Sequence, residues 1–198
     1  MKKTILTILI MVMVALLAIP SFAFDGKRKG FILGGGLGFG STSFSQTVEL
    51  GGLSVTGDTE SSGAIMSDFK IGFGASEQLE IYYVSKVAWF GVVDLYNNEI
   101  TVSSGVGTFG LTYNLKPTVP TYYISGGLGI SSWSFPFEDP APDSWLGFGM
   151  FVGGGYEFSR HYSVSLDILY GNPSDSEGAL TASASVTSVK LTINALAY

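Results

Sequence analysis

Over most of its length the chain alternates apolar residues with small or polar ones. Phe31, Leu33, Leu37 and Phe39 alternate with Gly34, Gly36, Gly38 and Gly40. Ile65, Phe69, Ile71 and Phe73 alternate with Met66, Asp68, Lys70 and Gly72, and Leu79, Ile81, Tyr83, Val87 and Trp89 with Glu80, Tyr82, Val84 and Lys86. Across residues 101–113 the alternation is clear only in the second half, at Phe109, Leu111 and Tyr113. It returns at Tyr122, Ile124, Leu128 and Ile130, then at Leu146, Phe148, Met150, Val152, Tyr156 and Phe158. Tyr162, Val164, Leu166, Ile168 and Tyr170 make a seventh segment, and Val189, Leu191, Ile193 and Ala195 an eighth. Successive side chains on a strand point to opposite faces. The period therefore predicts eight strands, each with one oily face and one small or polar face.

Two further patterns decide what the oily face meets. The connections alternate in length: 43–62 long, 75–78 short, 91–99 long, 114–120 short, 134–144 long, 159–161 short and 172–183 long. Outer-membrane barrels have long external loops and short periplasmic turns. The charges Asp68, Lys70, Glu80, Lys86, Glu157, Asp167 and Lys190 all fall on the polar face. In a membrane barrel that face is the lumen, and closure leaves no unpaired backbone in lipid. Aromatics gather at segment ends, with Trp89, Trp133 and Trp145 at the external end and Phe73, Tyr113, Tyr122, Tyr156, Phe158 and Tyr162 at the other, as two interfacial girdles require. The pattern predicts an all-β fold, a monomeric eight-stranded antiparallel up-and-down transmembrane β-barrel. A soluble periplasmic barrel is the competing architecture.

The start of the chain reads as an export signal. Lys2 and Lys3 precede an apolar run over residues 5–19, followed by Pro20 and Ser21-Phe22-Ala23. Small residues at Ser21 and Ala23 suit cleavage after Ala23, and the run falls short of the ~20 residues of a helical span. Residues 1–23 are thus expected to be a cleavable signal peptide and 24–198 an outer-membrane barrel domain. Loss of two lysines from 10 basic residues leaves 8 against 16 acidic ones. Such a balance argues against nucleic-acid binding. With no cysteine, neither a disulfide framework nor a lipoprotein anchor is available.

The glycine-rich segment 30–40, the stretch Gly153-Gly154-Gly155-Tyr156-Glu157-Phe158, the segment 162–170 and the aromatic terminus Tyr198 resemble small outer-membrane β-barrel proteins, in the broad OmpA/OmpX-like and OmpW-like group. The resemblance spans 24–198 and is one of pattern. It implies residence in the cell outer membrane, contact with outer-membrane lipid and lipopolysaccharide, and insertion by the barrel-assembly machinery. It also implies a C-terminal assembly signal at Leu196 and Tyr198. In that group the terminal aromatic is in phase with the lipid-facing residues. Here Leu196 and Tyr198 are in phase with Asn194, Thr192 and Lys190, so either a bulge shifts the register or the signal is read from these two residues alone.

The expected external loops hold Glu49, Asp58, Glu60, Asp94, Glu99, Glu138, Asp139, Asp143, Asp175 and Glu177, with no Lys, Arg or His. The opposite end holds Lys27, Arg28, Lys29, Lys116 and Arg160 against Asp25 and Glu77. An acidic rim attracts cations, and Glu138, Asp139 and Asp143 are spaced to share a divalent ion through oxygen ligands, although no loop motif marks such a site. On the polar face, buried charges must pair. A turn centred near Glu77 places Asp68 opposite Lys86. The seven inward charges are expected to form a structural network that plugs the lumen; a narrow polar path is the alternative.

Candidate chemistry is sparse. His161 and Ser163 resemble the His-x-Ser of the lipid A deacylase PagL, but Val164 stands where that motif has Asn, and the pair is expected in a turn at the wrong end. Residues 105–110 match the spacing of a dinucleotide loop, but no helical period follows. No cofactor is implied. The sequence points to a non-enzymatic scaffold presenting acidic external loops, the first of them a hairpin of Val48, Leu50, Leu53 and Val55 around Gly51-Gly52. A small channel or carrier for hydrophobic or small solutes is the alternative reading, and a lipid A-modifying enzyme the third.

Overall fold

The structure, a computed structural model, describes residues 27–93, 99–138 and 143–198. The expected signal segment with its cleavage point, Asp25, Asp94 and Asp139 lie outside the described residues, as does the side chain of Glu99.

The described residues form nine strands in one antiparallel sheet: β1 (Gly30–Leu50), β2 (Leu53–Thr56), β3 (Glu60–Gly74), β4 (Leu79–Val93), β5 (Glu99–Asn114), β6 (Thr121–Ser134), β7 (Trp145–Ser159), β8 (Tyr162–Glu177) and β9 (Leu180–Ala197). The spatial order is β2-β1-β3-β4-β5-β6-β7-β8-β9. β1 also pairs with β9, from Leu33↔Ala197 to Leu50↔Leu180, so the ladder that leaves β1 through β3 returns to it. The alternation seen in the sequence becomes two faces. The outer face exposes Leu37, Phe39, Ile65, Phe109, Leu128 and Ile193 at 59% or more of their surface. Such a girdle far exceeds the apolar patches that water-soluble surfaces carry. It is a lipid-facing belt, and the sheet is of the transmembrane barrel type.

Short turns gather at one end, between β3 and β4, β5 and β6, and β7 and β8. The β7–β8 turn places His161 at a φ of 74°, the left-handed region that few non-glycine residues occupy. Two of the long connections expected at the opposite, loop end are mostly strand. β1 runs to Leu50 and turns back through Gly51 and Gly52, with φ of 57° and 88°. Two consecutive positive φ angles suit a two-residue hairpin turn. β8 and β9 likewise run on to meet at Gly178. The segments 43–62 and 172–183 had too little hydrophobic contrast on their outer face to read as strand.

The reason is an inversion of polarity. On β1 the outer face is apolar up to Phe39 and then becomes Ser41, Ser43, Ser45, Thr47 and Glu49, while the inner face turns apolar at Phe44, Val48 and Leu50. β9 does the same, with Thr181, Ser183, Ser185 and Thr187 outside and Leu180, Ala182, Ala184 and Val186 inside. Beyond the lipid belt the outer face meets water, and the oily residues change sides. A period-two reading that assumes one solvent along the whole strand misses this change.

Candidate functional site

The inner face is the site, and it divides along the strands. In the half nearer the turns, polar and charged side chains converge. Asp68 and Lys86 are register partners on β3 and β4, with Lys86 Nζ donating to Asp68 Oδ2 at 3.2 Å and to Asp167 Oδ2 at 2.9 Å. Lys190, fully buried, donates to Asp68 Oδ1. Lys70 Nζ pairs with Glu80, which also accepts from Asn114 Nδ2 at 3.0 Å. Ser165 donates to Asp167 at 3.1 Å. All seven charges assigned to the polar face therefore point inward, and each is ion-paired.

Those seven comprise three lysines and four acids. The eighth member, Arg28, precedes β1, and the sequence reading placed it among ordinary periplasmic-side charges. It is buried, and its Nε donates to Glu157 Oε2 at 2.9 Å. Its Nη1 donates to the carbonyls of Glu77 at 2.9 Å and Pro117 at 3.0 Å. One guanidinium thus spans the mouth from β7 to two turns, which its rigid fork of five donors allows. Among the described residues the network holds four cations and four anions. The sequence signal for Arg28 was the leftover acid.

Tyr198 resolves the question of register. The β8–β9 and β1–β9 ladders run without a shift, so the terminal side chain points inward, buried, with its hydroxyl donating to Glu157 Oε1. Glu157 therefore holds both ends of the sheet-forming chain. His161 Nδ1 lies 2.9 Å from the Leu196 carbonyl and its ring 4.8 Å from that of Tyr198. Ser163 Oγ lies 3.3 Å from the Tyr123 hydroxyl. His161 and Ser163 are thus held by other partners and form no nucleophile–base pair.

The space left by inner glycines is filled. A side chain at Gly127 would meet the Phe151 ring at 2.7 Å, and one at Gly155 the Tyr123 hydroxyl at 2.4 Å. Lys70 lies 3.9 Å above the Tyr82 ring and Lys86 4.9 Å above that of Phe151. A cavity of about 60 Å³ remains, lined by Asp68, Glu80, Tyr123, Ser165, Asp167 and Asn194 among others. That is room for a few waters and for no organic solute.

In the half nearer the loops the inner face is apolar. Phe44, Ala64, Met66, Ala88, Phe90, Val102, Trp133, Ala184 and Val186 pack together, with Val92, Phe135 and Trp145 against them. Phe44, Phe90 and Trp133 form a triangle of rings with centroids 5.1 to 5.6 Å apart. Trp133 and Trp145 are therefore not interfacial girdle residues. Trp133 is fully buried, and its Nε1 has no hydrogen-bond partner. Trp89 alone of the three lies on the outer face, donating to Ser67 Oγ at 2.9 Å.

The acids Glu49, Asp58, Glu60, Glu138, Asp143, Asp175 and Glu177 lie exposed at the loop end. Among the described residues no three of His, Asp and Glu come together in a way that could hold a metal ion. Leu196 is half-buried beside the cavity.

No protein-family model matches the chain, and no curated protein matches it in sequence. Solved structures do. The outer membrane protein OprG from Pseudomonas aeruginosa aligns over 87% of this chain and 98% of its own, at 15% identity and a TM-score of 0.52. The outer membrane protein AlkL, solved in lipid bilayers, covers 87% and 92% at 15% identity and a TM-score of 0.44. Neisserial surface protein A covers 84% and 97% at 9% identity and a TM-score of 0.47. The likeness to OprG is one of fold: together with the lipid-facing belt it makes this chain an all-β, antiparallel outer-membrane barrel type.

Proposed function

We propose that residues 24–198, freed of a signal peptide, form an eight-stranded barrel closed by the β1–β9 pairing, with β2 an arm of the first external hairpin. Short turns and both chain ends face the periplasm, and the long connections face outside. The barrel takes up small or apolar solutes at its external mouth. The observation that carries this reading is the apolar inner face of the external half. Its floor is the packed aromatic triangle, and above the floor Val48, Leu50, Leu53 and Val55 remain exposed. Below, the ion-paired network blocks a straight path, so the molecule acts as a capture site or carrier and not as an open pore. Lipid, lipopolysaccharide and the barrel-assembly machinery are its expected partners.

The test uses cells with and without the protein, exposed to N-phenyl-1-naphthylamine, an apolar dye. Faster dye entry with the protein supports capture, and equal rates in both strains remove it. A second reading, a non-catalytic surface scaffold, is supported by the β1–β2 arm, which carries the sheet beyond the lipid belt. It predicts equal dye entry and loss of cell or matrix adhesion when the arm is deleted.

A further inference from the structure

Above the aromatic triangle, β2, β1, β9 and the end of β8 continue as an overhanging flap whose inner face is an uncovered apolar strip. Register places Val48 opposite Val55 and Leu50 opposite Leu53 on one side, and Val48 opposite Ala182 and Leu50 opposite Leu180 on the other. Leu53 and Val55 are 78% and 71% exposed. The strip is bracketed by acids on the same face. Glu177 is the register partner of Leu180 and Asp175 that of Ala182, while Glu60 is the partner of Phe44 on the opposite flank. All three are exposed. The segments 43–62, 91–99, 134–144 and 172–183, expected from the sequence as the loops of this end, contain no Lys, Arg or His.

An apolar strip flanked by carboxylates, with no basic residue in these segments, selects by charge as well as by oiliness. An anionic amphiphile is repelled, a neutral one is held by the strip alone, and a cationic one is held by both. We propose that the flap binds amphiphilic cations: small molecules with an apolar body and a quaternary or protonated nitrogen or an equivalent onium centre. The body lies on Val48, Leu50, Leu53 and Val55, and the charge sits between Glu60 and the Asp175–Glu177 pair. This inference rests on the capture reading above and names its substrate class.

Tetraphenylphosphonium and tetraphenylborate, nearly equal in size and opposite in charge, are the probes, with tetraphenylmethane as the neutral reference. Binding to the folded protein in zwitterionic nanodiscs is measured by equilibrium dialysis, with empty nanodiscs subtracted. The phosphonium binds more tightly than the neutral probe, by about two- to fivefold, because the acids flank the strip roughly 14 Å apart and a charge between them gains no more than one exposed ion pair supplies, and the borate binds more weakly. The triple variant Glu60→Gln, Asp175→Asn, Glu177→Gln brings the three probes to equal affinity. So does raising salt from 0.01 to 1 M, which shortens the screening length from about 30 Å to about 3 Å. The pair Leu53→Ser, Val55→Ser weakens all three probes. Heat-modifiable mobility on gels certifies that each variant is folded. Equal binding of cation and neutral probe to the unmodified protein overturns the charge selection and leaves capture standing. Preference retained by the acid-to-amide variant also overturns it. No protein-dependent binding of any probe removes both readings.

Discussion

Near the turns, the inner face is held by eight charges in pairs, and near the loops by nine closely packed apolar side chains. Both fillings occupy the interior, the charged one with room for a few waters, yet they differ in what they tolerate. The apolar half is non-directional, so residues of similar volume are exchangeable at small cost. The charged half is directional. Each carboxylate holds one or two cations, and removal of one leaves a buried charge uncompensated. The charged filling lies behind the lipid belt, where the outer face is already oily and the inner face must supply the contrast that sets strand register. The apolar filling starts at the edge of the belt, where Ala64 and Met66 flank the outward Ile65, and continues beyond it, where water wets the outer face and the strands take the amphipathicity of a soluble sheet.

The contrast is broken most severely at Asp68, which serves Lys86 and Lys190 together. Asp68→Ala costs about 4 kcal/mol, within the range for breaking a buried pair, measured by urea unfolding in lipid vesicles. On the apolar side, Phe90→Ala costs about 3 kcal/mol and Phe90→Leu about 1, the ordinary values for core truncation and for a smaller hydrophobic exchange. If Phe90→Leu costs as much as Asp68→Ala, the distinction between directional and non-directional filling is lost. Glu157→Gln leaves Arg28 without its anion and weakens the Tyr198 contact, costing about 2 kcal/mol as loss of charged hydrogen bonds does. Its heat-modifiability midpoint falls accordingly. Tyr198→Phe removes only the hydroxyl, about 1 kcal/mol, and leaves Arg28 on Glu157. A Tyr198→Phe cost equal to that of Glu157→Gln would show that Arg28 contributes nothing to the clasp.

The all-β, antiparallel character of the belt, the faces of its strands and the inward phase of seven charges were legible because lipid imposes a strict period of two. The partnership of Asp68 with Lys86 followed from the short turn between β3 and β4. The extensions 43–50 and 180–187 were not legible, because there the outer face is serine and threonine and the pattern resembles a loop. Trp133 was assigned to an interfacial belt because position along the strand was known and face was ignored: its odd number puts it in phase with Ser131 and Thr121, which are buried inside.

By itself the sequence determined which side chains share a face, since that depends only on the alternation of the backbone. It also determined that the interior is charged and nearly neutral, since composition and phase suffice for that. The return of β9 to β1, the entry of Arg28 into the mouth and the meeting of Tyr198 with Arg28 on Glu157 were decided only by tertiary structure. Those contacts join residues 41 to 164 positions apart, and no local period reports on them. Their geometry exists once the sheet has curled far enough to bring its first and last strands together.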